Sequence, residues 1–106
     1  MEVVHFRAGD WLSGPVNTAT SFMERWRGLR GAKPGAAMLI QTNSVHGMGM
    51  RRGFRAIGLS SEYRVVDSRL VAPGRFVRFP GCEWILELPE RMPTPDCGEV
   101  LELIDV

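Results

Sequence analysis

Apolar residues along this chain gather in short runs punctuated by glycine, proline and small polar residues, the layout of strands joined by turns. Glu2 to Arg7, with Val3, Val4 and Phe6, reads as a first strand stopped by the Ala8-Gly9-Asp10 turn signal, after which Trp11 and Leu12 begin a return strand. Pro34-Gly35 precedes a continuous apolar run from Ala36 to Ile40, which predicts a buried strand, and Gln41 to Ser44 reads as a polar loop. Phe54 to Leu59 and Tyr63 to Leu70, linked by Ser60-Ser61-Glu62, predict a hairpin. Pro73-Gly74 turns the chain into Arg75 to Phe79, where alternation is poor, and Pro80-Gly81 leads into Trp84 to Leu88. A loop from Pro89 to Gly98 holding three prolines separates that strand from the last, Val100 to Ile104.

One segment departs from this period. Ser21-Phe22-Met23-Glu24 matches a capping box, in which the Ser21 hydroxyl accepts from the Glu24 amide while the Glu24 side chain reaches back. Phe22, Trp26 and Leu29 then recur at helical spacing, and Gly28 and Gly31 end the run, so a helix of two or three turns is expected. The expected class is therefore α+β, mainly antiparallel β. It is a barrel-like or sandwich body of about seven short strands with one main helix, Phe22 to Leu29, packed across it.

The densest chemistry lies in Asn43-Ser44-Val45-His46-Gly47-Met48-Gly49-Met50-Arg51. As a strand, this segment sets His46, Met48 and Met50 on one face and Val45, Gly47 and Gly49 on the other. Two thioethers and an imidazole form a soft set suited to Cu(I), although methionine on a strand is more often adaptable core filling. The glycines mark a bulge or the close approach of another backbone or a ligand, and amides freed at a bulge can bind an anion.

With 106 residues, 44% hydrophobic and 24% charged, the chain is expected to fold as one domain and to bury roughly 65% of its unfolded surface. Neither a signal-peptide pattern nor a long apolar span is present, so a cytoplasmic location without membrane insertion is expected. Cys82 and Cys97 fit no zinc spacing and read as free thiols. The net charge of +1 is unevenly spread: Arg25 to Arg78 holds eleven basic residues against Glu62 and Asp67, whereas Phe79 to Val106 holds seven acids and one arginine. Such polarity serves either cross-strand ion pairing or an anion site, for which arginine's planar fork is suited. The acidic third and the lack of an RNA-binding motif argue against nucleic acid as a partner.

Three segments together resemble the bacterial and archaeal family called domain of unknown function 192. They are Ala19 with Glu24-Arg25-Trp26-Arg27-Gly28-Leu29, then Ser44-Val45-His46 with Gly49-Met50-Arg51, and finally Pro73, Arg75, Leu86-Glu87-Leu88-Pro89 and Gly98-Glu99. The first is similar to the family's E-R-x-R-G-L helix and the second to its S-V-H-x-x-G-M-R form. Gly53 and Arg55 stand where that family has a proline and an aspartate, and Ser60 stands where it has an acid. The resemblance implies a mostly antiparallel fold with a helix, brings no settled activity, and points to Arg25, His46, Met50, Arg51 and Glu87 as site positions.

No nucleophile elbow, phosphate loop or dinucleotide fingerprint occurs, and no metal or other cofactor is expected. The leading expectation is a small non-enzymatic binding module that takes a small anionic or polar ligand near His46 and Arg51. One alternative is an enzyme using His46 as acid or base with Glu87 behind it; another is a passive interaction domain using an exposed sheet edge. Arg25 and Glu87 are expected to pair as a structural staple at the edge of the contact between helix and sheet. Composition leaves the oligomeric state open.

Overall fold

A computed structural model describes residues 2–19, 37–47 and 52–105. Every regular element among them is a strand: β1 (Val3–Ala8), β2 (Trp11–Ala19), β3 (Ala37–Ile40), β4 (Ser44–His46), β5 (Phe54–Leu59), β6 (Val65–Val71), β7 (Phe76–Arg78), β8 (Trp84–Pro89) and β9 (Glu102–Ile104). They form a seven-stranded sheet in the order β6-β5-β8-β3-β2-β1-β9 and a two-stranded sheet of β4 and β7. This corrects the expected α+β class. The regular elements of the described residues are all strands, and the large sheet is mixed, because β2 and β3 run parallel with Val16 beside Ala37 and Ala19 beside Ile40. The expected helix from Phe22 to Leu29 lies outside the described residues.

The remaining pairings are antiparallel. β2 is much longer than the pattern from Trp11 and Leu12 suggests, because Gly14 and Pro15 do not break it. Gly14 adopts a φ of 70°, open to glycine at little steric cost, and Pro15 sits opposite His5 beside an irregularity between His5 and Arg7. At that irregularity the buried Ser13 hydroxyl accepts from Phe6 N–H at 2.9 Å and donates to Gly14 O at 2.7 Å, which satisfies an amide that the register shift leaves over.

Strand alternation sorts the large sheet into two faces. One carries the main core of Phe6, Val16, Leu39, Ile57, Leu59, Val65, Leu86, Leu88 and Leu101, each no more than 2% exposed. Tyr63 packs edge-on to Phe6 with ring centroids 5.3 Å apart and lies 5.8 Å from Trp84. The edge strands meet at one end. Val65 N–H donates to Glu99 O, Gly98 N–H to Val65 O and Leu101 N–H to Tyr63 O, around an antiparallel bridge between Arg64 and Val100. The sheet is thus rolled around its core until β6 reaches the segment leading into β9.

The other face receives the small sheet. Val45 and Val77 pack with Phe54, Ala56, Val71, Phe79, Cys82 and Ile85 in a second buried cluster. Gly58 makes this packing possible: a Cβ there would come within 2.7 Å of Phe79 Cδ1 and 2.8 Å of Cys82 Sγ. The Arg69 guanidinium lies over the Phe79 ring, 5.7 Å from its centroid. No helix of the described residues is long and apolar enough to cross a membrane.

Candidate functional site

The central motif forms a strand only from Ser44 to His46. Gly47 follows with its N–H donated to Arg75 O at 2.7 Å and its carbonyl accepting from Gly74 N–H at 2.9 Å. A Cβ on Gly47 would approach Ala72 O to 2.8 Å, so the close neighbour that requires a glycine here is the backbone of the turn before β7. Met48, Gly49, Met50 and Arg51 lie outside the described residues, as does Arg25.

β4 pairs with β7 through Ser44 and Arg78, Val45 and Val77, and His46 and Phe76. The small sheet has an inward side, where Val45 is 1% exposed and Val77 packs beside it. Alternation therefore turns Ser44, His46, Phe76 and Arg78 to the opposite side. Ser44 and His46 are half-buried, Arg78 is exposed, and Phe76 is 64% exposed. This outward side combines a hydroxyl, an imidazole, a guanidinium and an uncovered aromatic ring. Thr42 holds its entrance: its hydroxyl accepts from Ser44 N–H and donates to Ser44 O, both at 3.3 Å.

Glu87 stands elsewhere, at the centre of the large sheet. Met38 and Ala56 flank it on β3 and β5, and it is 5% exposed. Along β8 it alternates with Leu86 and Leu88 of the main core, so it shares the other face with Ile85. On that face Ile85 packs with Val45 of β4 in the second buried cluster. The site positions expected from the sequence do not include Ser44, Phe76 and Arg78; Ser44 stands in the same motif as His46, whereas the poor alternation of Arg75 to Phe79 was the only signal for Phe76 and Arg78.

Arginines also tie strands together, by an ion pair in one place and a bond to a backbone carbonyl in another. Arg7 Nη2 donates to Glu102 Oε2 at 3.0 Å between β1 and β9, and Arg64 Nη1 donates to Gly98 O at 2.7 Å. Two surface depressions flank the first and last strands. One of about 440 Å³ is lined by Arg7, Gly9, Glu99 and Glu102, and the other of about 390 Å³ by Glu2, His5, Leu103 and Asp105. Both mix acidic and basic walls, a poor match for an anion.

Among the described residues no three or more His, Cys, Asp or Glu side chains gather as a metal site would require. Cys82 is buried and Cys97 exposed, both as free thiols. Desolvation, with the nearby Asp67 charge adding to it, pushes the Cys82 thiol above its ordinary value of 9.0. That is the opposite of what a reactive thiolate needs. Comparison with known proteins finds no family model, no curated relative and no solved structure that matches the chain.

Proposed function

We propose that this domain is a non-enzymatic binding module for a small anionic or polar ligand, taken up on the outward side of β4 and β7. The observation that carries this reading is the common face of Ser44, His46, Phe76 and Arg78. Arg78 supplies a forked donor for a carboxylate or phosphate, Ser44 and His46 add hydrogen-bonding groups beside it, and Phe76 offers a surface for an apolar or planar part of the ligand. Ser44 and His46 are also motif positions of the family that the sequence resembles, and Arg51 of the same motif follows five residues after His46.

NMR shift mapping tests the reading with inorganic phosphate and a dicarboxylate as probes. Saturable shifts centred on Ser44, His46, Phe76 and Arg78 are expected at millimolar probe. Arg78→Ala is expected to weaken binding by roughly tenfold or more, the value of a lost charge-assisted hydrogen bond. Shifts that stay away from β4 and β7, or an Arg78→Ala variant that binds as the parent does, would refute it.

A further inference from the structure

Beyond that site, the part of β6 past Val65, where the bonds to Gly98 and Glu99 end, is an open edge of the large sheet among the described residues and carries an inference of its own. The hairpin from β5 to β6 closes through Ser60, whose N–H donates to Arg64 O and whose carbonyl accepts from Tyr63 N–H, both at 3.0 Å, with Tyr63 held at a φ of 64°. Ser60 therefore directs its backbone groups toward β6. Backbone groups along a strand alternate between its two neighbours, so those of Gly58, Ala56 and Phe54 face β6 as well. The Leu59 carbonyl turns the other way and accepts from Glu83 N–H at 2.9 Å, as this parity requires. Opposite Gly58, Ala56 and Phe54 stand Asp67, Arg69 and Val71, whose backbone groups are accordingly used by β5. Those of Ser68 and Leu70 point off the sheet. Ser68 N–H agrees: its acceptor is the neighbouring Asp67 Oδ1, at 2.8 Å, not β5.

The side chains along this edge form a self-complementary sequence. In Val66-Asp67-Ser68-Arg69-Leu70, an antiparallel copy centred on Ser68 would set Asp67 against Arg69, Arg69 against Asp67, and Val66 against Leu70. Val66 and Leu70 are 50% and 47% exposed, an apolar bracket around the charges. Within the chain Arg69 Nε already donates to Asp67 Oδ2 at 2.9 Å, so both charges lie on one side of the strand, where a second copy would meet them.

We infer that β6 is a homodimerisation edge, pairing antiparallel about a two-fold axis at Ser68 with β6 of a second copy of this chain. Ser68 N–H exchanges Asp67 Oδ1 for the partner strand's Ser68 carbonyl, and the carboxylate is freed to face the partner strand's guanidinium. Asp67 and Arg69 fall at a pair without backbone bonds between them, the closest side-chain spacing in an antiparallel ladder. Such an isologous contact closes after two copies. One short strand buries less than the surface of a permanent dimer, so the association is weak and concentration-dependent.

Sedimentation equilibrium over a wide concentration range, with circular dichroism to verify folding, tests this. The parent chain is expected to approach a dimer at high concentration. Asp67→Arg and Arg69→Asp, each alone, set like charges face to face twice per dimer and are expected to weaken association by roughly tenfold or more. Mixed one to one, the two variants are expected to form a heterodimer, since an edge with two arginines meets an edge with two aspartates. Ser68→Pro, which removes only an outward N–H, is expected to abolish association in a folded monomer. A parent that stays monomeric at every attainable concentration, or two variants that fail to associate when mixed, would overturn the inference and leave Asp67 as a guard that caps an exposed edge.

Discussion

Gly58→Ala is expected to destabilise the fold out of proportion to the single methyl group it adds. The new Cβ would stand 2.7 Å from Phe79 Cδ1 and 2.8 Å from Cys82 Sγ, both belonging to side chains that are 6% exposed or less. Neither has solvent to retreat into, and overfilling such a site costs about 1–3 kcal/mol. Glycine within a strand itself costs about 0.5–1 kcal/mol relative to alanine, which offsets part of that. The net loss expected is about 1–2 kcal/mol. Cys82→Ala alone leaves a small void and costs on the order of 1 kcal/mol. In the double variant the added methyl moves into the space vacated by sulfur while the Phe79 contact persists, so the two changes together should cost about 1 kcal/mol less than their sum. Urea unfolding of the four proteins at unchanged m-value measures this directly. A Gly58→Ala protein as stable as the parent, or strictly additive variants, would show that Phe79 and Cys82 do not pack on Gly58 as described.

Ser13→Ala is expected to cost about 1–3 kcal/mol, because it strands the buried Phe6 N–H, whereas Ser13→Thr keeps the hydroxyl and should cost less; chemical denaturation of both decides. Alkylation at neutral pH should label Cys97 quickly and Cys82 only on unfolding. The folded Cys82 thiol binds its proton more tightly than the unfolded one, so its contribution to stability is complete below about pH 9 and disappears as pH rises through the higher folded value. Cys82→Ala should therefore flatten that alkaline part of the stability profile, and an unchanged slope would contradict it. Glu87→Ala and Arg25→Ala are each expected to cost about 2–4 kcal/mol and to be strongly coupled in a double-mutant cycle if they form the proposed staple; near-additive, small effects would exclude it.

The hydrophobic pattern located β3, β5 and β8 almost to the residue because each is buried on both faces or bounded by strong turn signals, and it found the β5 to β6 hairpin. It did not convey that β2 and β3 are parallel. A strand has the same period of two whichever way its neighbour runs, and Gly14 with Pro15 imitates a break where the chain continues through an irregular stretch. Nor could it pair β4 with β7, since β5 and β6 come between them in the chain and the three residues of each strand carry only one inward position, Val45 or the half-buried Val77. The candidate face of Ser44, His46, Phe76 and Arg78 exists only through that pairing. His46 was legible from its motif, whereas Arg78 acquires meaning from its register opposite Ser44.

The four residues of β3 deserve a mechanical reading. β1, β2 and β9 lie to one side of it and β5, β6 and β8 to the other, and among the described residues the other strand pairing between these halves is at the bridge of Arg64 to Val100. The sheet is a bracelet with two clasps. The bridge is short, its Arg64 and Val100 are exposed although Val65 and Leu101 beside it are buried, and it can open while both halves keep their hydrogen bonds. β3 is buried at every position and bonded on both flanks, so opening it separates the halves outright. In deuterium-exchange terms, the amides of Val65, Gly98 and Leu101 would gain label during partial openings, while those of Leu39 and Ile40 would wait for the whole domain to come apart.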